Sequence, residues 1–101
     1  MSPASPPDAR TPDARIIAAT ILALAAARGV GASISPSEVA QALAPEDAPQ
    51  DWRPLLGPVR RAAADLAAVG RIDILRKGKP IDPAELRGVV RLRIRAGAPA
   101  P

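Results

Sequence analysis

The stretch from Asp51 to Gly70, DWRPLLGPVRRAAADLAAVG, constrains the fold more than any other part of the chain. At about 100° per residue its apolar side chains fall on one face of a helix, which predicts that this face is buried. The opposite face carries arginines with only small residues among them, so it suits a phosphate backbone and equally suits plain solvation. The apolar face consists of Leu55, Leu56, Val59, Ala62, Ala63, Leu66, Ala67 and Val69, and the basic face of Arg53, Arg60 and Arg61.

Charge is divided unevenly along the 101 residues. Residues 1–51 carry three arginines against six acidic residues, whereas residues 52–101 carry eleven arginines and lysines against four. A basic half favours a polyanionic partner, although charged residues that serve only solubility would give the same excess of arginine and lysine. The length allows one small domain, and Trp52 is its sole aromatic residue, so the predicted core consists of small and branched side chains.

The absence of cysteine and histidine excludes several chemistries at once. Disulfides, typical zinc sites and histidine-based catalytic triads all need these residues. The acidic residues are scattered, no nucleophile stands beside a base, and no phosphate-binding loop is present, so we expect neither enzyme activity nor a cofactor. We expect a cytoplasmic protein without a membrane span, because the apolar run at residues 16–27 is shorter than the roughly 20 residues that a bilayer requires.

A first helix is predicted over residues 13–28. Thr11 or Asp13 caps its start and Gly29 stops it. Its apolar residues cover a broad surface, which either packs in the core or mediates self-association as a homodimer.

The sharpest local signal is Ser35-Pro36-Ser37-Glu38. A serine cap, a proline at the first helical position and a glutamate three residues after the cap form a capping box, which starts a second helix over residues 36–43. This spacing explains Glu38 better than a catalytic role does.

In the third helix, Gly57-Pro58 interrupts the pattern, so we predict a short turn at residues 52–56 and a main helix over residues 58–69. Trp52 either anchors this helix on the core or stacks on a nucleic-acid base.

Two stretches near the end alternate as strands. Ile72 and Ile74 alternate with charged residues, and the second strand alternates Val90, Leu92 and Ile94 with Arg91, Arg93 and Arg95. We expect these strands to pair as a hairpin with a long basic loop, residues 77–87, in which Asp82 to Glu85 caps a single helical turn.

Together with a short strand at residues 32–34, this order of elements is that of an α+β winged helix-turn-helix, spanning residues 13–95 between disordered tails at 1–12 and 96–101. The third helix of such a domain enters the major groove, and the loop between the strands forms the wing. We expect a partner of one of two kinds: double-stranded DNA, or another protein bound without catalysis. The residues predicted to contact nucleic acid are Arg53, Arg60, Arg61, Lys77, Lys79, Arg87 and Arg91.

The runs SISPSEVAQAL, DWRPLLGPVRRAAADLAAVGRIDILRKGKPIDP and RGVVRLR resemble a small bacterial winged-helix family, domain of unknown function 3253. The resemblance covers about residues 15–95 and implies the fold, without implying an activity. Ser35 stands where members of that family often have a cysteine, so no thiol role carries over. The residues that carry the resemblance are Pro36, Ser37, Glu38, Val39, Ala40, Trp52, Arg53, Val59, Arg60, Gly70, Lys77, Gly78, Gly88 and Arg91.

Overall fold

The computed structural model describes residues 12–86 and 88–95, which form three helices and a three-stranded antiparallel sheet. This confirms an α+β fold with the element order of a winged helix. The tails predicted at residues 1–12 and 96–101 lie outside the described residues, apart from Pro12. The elements are α1 (Ala14–Arg28), α2 (Pro36–Leu43), a 3-10 turn (Arg53–Leu55), α3 (Leu56–Ala68), β1 (Ile72–Arg76), β2 (Lys79–Pro80), a second 3-10 turn (Pro83–Glu85) and β3 (Arg91–Ile94).

Both predicted helix starts are confirmed. Asp13 caps α1 by accepting a hydrogen bond from the Ile16 N–H at 3.0 Å. At α2, Ser35 Oγ accepts from the Glu38 N–H at 3.1 Å, while Glu38 Oε2 accepts from the Ser35 N–H at 2.9 Å. These reciprocal bonds are the capping box, and they satisfy two backbone donors that the first turn of a helix leaves without partners.

The third helix starts earlier than predicted. It does not break at Gly57-Pro58 but begins at Leu56 and continues through both residues. Pro58 is then the third helical residue, where the backbone N–H has no intrahelical partner in any case, so the proline removes no hydrogen bond. The helix also ends one residue early, and Val69, predicted on the apolar face, is 72% exposed because it lies beyond the last turn.

The strand β1 lies at the centre of the sheet, in the order β2-β1-β3. It pairs antiparallel with β3 as predicted, with Asp73 opposite Arg93. The connection between β1 and β3 is not the plain loop that we predicted, because its first part returns along the other edge of β1 as β2, with Leu75 opposite Pro80. The predicted helical turn in this connection is confirmed at Pro83–Glu85.

The core lies between the three helices and one face of the sheet. The predicted strand at residues 32–34 is reduced to one bridge, in which Ile34 pairs with Leu92. The helix α3 packs against α1, α2 and β1, so its position is fixed from three sides. Trp52 is half-buried and packs against the edge of this core, as an anchor for the start of α3 would. The largest side chains with almost no exposure are Ile17, Ile21, Ile34, Val39, Val59, Ile72, Ile74 and Leu92.

Candidate nucleic-acid interface

The two adjacent arginines of α3 face different neighbours. Arg60 is half-buried, and its Nη2 donates to the Gly88 carbonyl at 3.0 Å, which ties α3 to the connection between β2 and β3. Arg61 is exposed and lines a cleft of about 210 Å³ at the start of α1, together with Ile17 and Asp65. Neither arginine forms an ion pair with any residue that the structure describes.

Arg53 lies at the entrance to α3, in the 3-10 turn. Its Cζ is 4.6 Å from the centroid of the Trp52 ring, which is within the range of a cation–π interaction. The ring supports the guanidinium group at the surface without neutralising its charge, since a quadrupole carries no net charge. Arg53 is exposed, so this charge faces solvent.

The turn between β1 and β2 presents two lysines. Lys77 and Gly78 have φ values of 53° and 81°, so both occupy the left-handed region that a two-residue hairpin turn requires. Lys77 and Lys79 are exposed and have no carboxylate partner within residues 12–86 and 88–95. Arg87, predicted with this group, lies outside the described residues. We call the set Arg53, Arg60, Arg61, Lys77 and Lys79 the α3–hairpin surface.

Arg91, predicted in the same interface, lies elsewhere. Its Nε donates to Ser33 Oγ and its Nη2 to the Ser33 carbonyl, each at 2.9 Å. Its guanidinium group is 3.8 Å from Glu38, and Arg28 donates a short hydrogen bond to the same carboxylate. The hydrogen bond from the Ser35 N–H lowers the pKa of Glu38, and the charges of Arg28 and Arg91 act in the same direction, against an opposing effect of burial.

A second carboxylate pairs with the arginines further along β3. Arg93 Nη2 lies 3.1 Å from Asp73 Oδ2, and Arg95 Nε lies 3.9 Å from Asp73 Oδ1. Because Leu92 between Arg91 and Arg93 is fully buried, these two arginines start from the opposite face of the sheet, and Arg91 reaches from there to Ser33 and to Glu38 at the start of α2. The alternation in the sequence already places Arg91 on the same face of the strand as Arg93 and Arg95, and this signal could have grouped it with them rather than with the cations of the preceding loop.

The contact between Arg60 and Gly88 was not predicted. Its acceptor is a backbone carbonyl, which leaves no side-chain pattern in a sequence. Asp65, the only carboxylate of α3, lies one turn beyond Arg61 and is exposed. The basic character of α3 is therefore concentrated in its first half, next to the connection that Arg60 contacts.

Residues 14–95, from the first residue of α1 to the residue after β3, match a family described as protein of unknown function DUF3253. The chain belongs to the DUF3253 family. A search of curated proteins finds no match to it. Within the described part of this DUF3253 protein, no helix has the length and apolar character needed to cross a membrane, and no cluster of acidic residues is arranged to hold a metal ion.

Proposed function

We propose that this DUF3253 protein binds nucleic acid, and duplex DNA in particular, through the α3–hairpin surface. The observation that supports the proposal is the distribution of neutralised charge. Glu38 and Asp73 pair with four arginines on other parts of the molecule, whereas no described carboxylate pairs with the α3–hairpin surface. Unpaired cations of this kind bind phosphates with release of counterions, which drives association at low salt.

The position of Lys77 also supports this function. A non-glycine residue with positive φ costs free energy, and the hairpin turn at this position favours asparagine, aspartate or glycine instead. A lysine there places a cation at the tip of the hairpin at the expense of stability. A functional requirement for positive charge at the tip explains why this position holds a lysine.

Fluorescence anisotropy with a labelled random-sequence duplex of about 20 base pairs tests the proposal. If all five cations of the α3–hairpin surface contact phosphates, the logarithm of the binding constant should fall with the logarithm of salt concentration with a slope of about −4 to −5. The double variant Lys77→Gln/Lys79→Gln should reduce this slope by about 2, because two phosphate contacts are lost.

A matched control is the double variant Arg93→Gln/Arg95→Gln, which removes the same number of positive charges from the outer face of the sheet. It should change the slope less than the hairpin variant does, because both arginines pair with Asp73, which offsets one of their two charges. An equal loss of affinity in both variants would show that only net charge matters. Absence of binding at about 50 mM salt and tens of micromolar protein would contradict the proposal and favour a protein partner for this fold.

A further inference from the structure

Three arginines lie around one carboxylate at the end of the sheet that is remote from the hairpin turn. Arg71 precedes β1 and Arg95 follows β3, and the Arg95 N–H donates to the Arg71 carbonyl at 3.2 Å, so these two residues lie opposite each other. By the alternation of strand side chains they project to the side of Asp73 and Arg93, opposite to that of the buried Ile72. We call Arg71, Asp73, Arg93 and Arg95 the outer arginine cluster.

The outer arginine cluster carries more positive charge than its single carboxylate offsets. Asp73 pairs with Arg93 at 3.1 Å and with Arg95 at 3.9 Å. The side chain of Arg71 is half-buried and forms no ion pair or hydrogen bond within the described part of the chain, where its buried Nε has no acceptor. Three guanidinium groups around one carboxylate leave an excess of two positive charges.

The arrangement of Arg71 and Arg95 is unfavourable for the chain on its own. Arg95 extends towards Arg71 rather than away from it, because a Cβ atom added to the preceding residue, Gly70, would lie 3.1 Å from Arg95 Nη1. Like charges on directly opposite residues destabilise a pair of strands. A negatively charged ligand at this end of the sheet would offset that repulsion.

We propose that the outer arginine cluster binds an extended acidic segment of a partner protein. The planar guanidinium group can donate two parallel hydrogen bonds to one carboxylate, so arginine suits this ligand better than lysine does. The fold itself twice sets one carboxylate between two arginines, at Asp73 in this cluster and at Glu38 at the start of α2. In the proposed complex, a carboxylate of the partner occupies the equivalent position between Arg71 and Arg95.

The spacing of the arginines favours an extended segment. Arg93 and Arg95 are two residues apart along the direction of β3, which corresponds to about 7 Å. Alternate side chains of any extended chain have the same spacing, so acidic residues at alternate positions of the partner can face successive arginines.

Nucleic acid suits the outer arginine cluster less well than an acidic protein segment does. Surfaces that bind single strands stack the bases on aromatic rings, and the sole aromatic residue, Trp52, lies at the entrance to α3 instead. The cluster is also separate from the α3–hairpin surface, because the length of β1, about 17 Å, lies between Arg71 and the hairpin turn. We therefore expect the two surfaces to bind different partners.

Fluorescence anisotropy with a labelled, blocked peptide of alternating serine and glutamate, about 12 residues or 40 Å long when extended, tests the proposal in the absence of nucleic acid. At about 50 mM salt the full chain should bind this peptide and should not bind a matched peptide of serine and glutamine. Arg71→Gln/Arg95→Gln should weaken binding about 4- to 25-fold, because each exposed pair of guanidinium and carboxylate contributes about two- to five-fold. Lys77→Gln/Lys79→Gln, the matched control, removes the same number of positive charges from the α3–hairpin surface and should weaken binding less than about two-fold.

Two results of this assay would overturn the proposal. Equal weakening in the two double variants would show that the peptide responds only to net charge. Absence of binding at about 200 µM protein would show that the outer arginine cluster does not recognise carboxylates. Neither result bears on DNA binding, so this proposal and the proposed function can fail separately.

Heteronuclear NMR of the wild-type chain locates the binding surface without any variant. The glutamate peptide should shift the backbone and side-chain signals of Arg71, Arg93 and Arg95, whereas duplex DNA should shift those of α3 and the hairpin turn. Peptide-induced shifts confined to the α3–hairpin surface would contradict the assignment of the site. Shifts of the outer arginine cluster with the duplex and not with the peptide would show that the cluster binds phosphates, and would refute an acidic protein segment as its partner.

Discussion

Replacing Glu38 with alanine tests whether one carboxylate holds the start of α2, the end of α1 and β3 together. Glu38 accepts a hydrogen bond from the Ser35 N–H and contacts the guanidinium groups of Arg28 and Arg91. Loss of the capping bond costs about 0.5–1 kcal/mol, and each ion pair contributes about 0.3–0.7 kcal/mol because the Glu38 side chain is 35% exposed. We expect Glu38→Ala to lower the free energy of unfolding by about 1–2.5 kcal/mol.

Glu38→Gln separates the two contributions. Glutamine keeps an oxygen that accepts from the Ser35 N–H, but it carries no charge, so this variant should lose only the ion pairs, about 0.5–1.5 kcal/mol. Urea titration followed by the fluorescence of Trp52 measures both losses, because Trp52 is the sole aromatic residue and packs against the core. An equal loss in the glutamine and alanine variants at pH 7 would show that the capping bond contributes nothing.

The pH dependence gives a second check on the same carboxylate. The folded protein holds the pKa of Glu38 below its unfolded value of about 4.3, so the stabilisation by charge is fully present above that pH and is lost as the pH falls through the folded pKa. The difference in stability between the wild type and Glu38→Gln should therefore be greatest at pH 7 and should disappear at about pH 2. A difference that persists there would refute the assignment of this stability to ionised Glu38.

Three further substitutions test the core, one turn and the hairpin tip, and a fourth, Gly31→Ala, is a control for the turn. Leu92→Ala, at a fully buried position, should cost about 2–4 kcal/mol in urea titration. Gly70→Ala should cost about 1 kcal/mol, because φ is 81° and the added Cβ would lie 3.1 Å from Arg95 Nη1, whereas Gly31→Ala, in open space, should cost nothing measurable. Lys77→Asn should stabilise the hairpin by about 0.5 kcal/mol in thermal unfolding and weaken DNA binding several-fold; a gain in both would contradict the proposed role of this lysine.

The sequence predicts most of the secondary structure because the signals that fix it are local. The capping box places Ser35 and Glu38 three residues apart, and the alternation of Ile72 and Ile74 fixes which face of β1 is buried. The start of α3 was predicted wrongly because the effect of Pro58 depends on its position in the helix. A proline breaks a helix in its interior, whereas a proline in the first turn is tolerated. Pro58 lies in the first turn because α3 begins at Leu56. The packing of α3 on α1, α2 and β1 fixes this starting position.

The candidate site was harder to predict because charge counts along a sequence ignore which charges meet in the fold. Glu38 belongs to the acidic half of the chain and Arg91 to the basic half, and the structure brings them within 3.8 Å across 53 positions. Asp73 likewise pairs with Arg93 and Arg95, because the register of the sheet places it opposite Arg93. The basic surface is consequently narrower than the excess of eleven cations over four acids suggests, because Arg91, Arg93 and Arg95 of the basic half pair with Glu38 or Asp73. If only the five cations of the α3–hairpin surface contact phosphates, the salt dependence should have a slope of about −4 to −5, and a steeper slope would indicate that further cations of the basic half also bind.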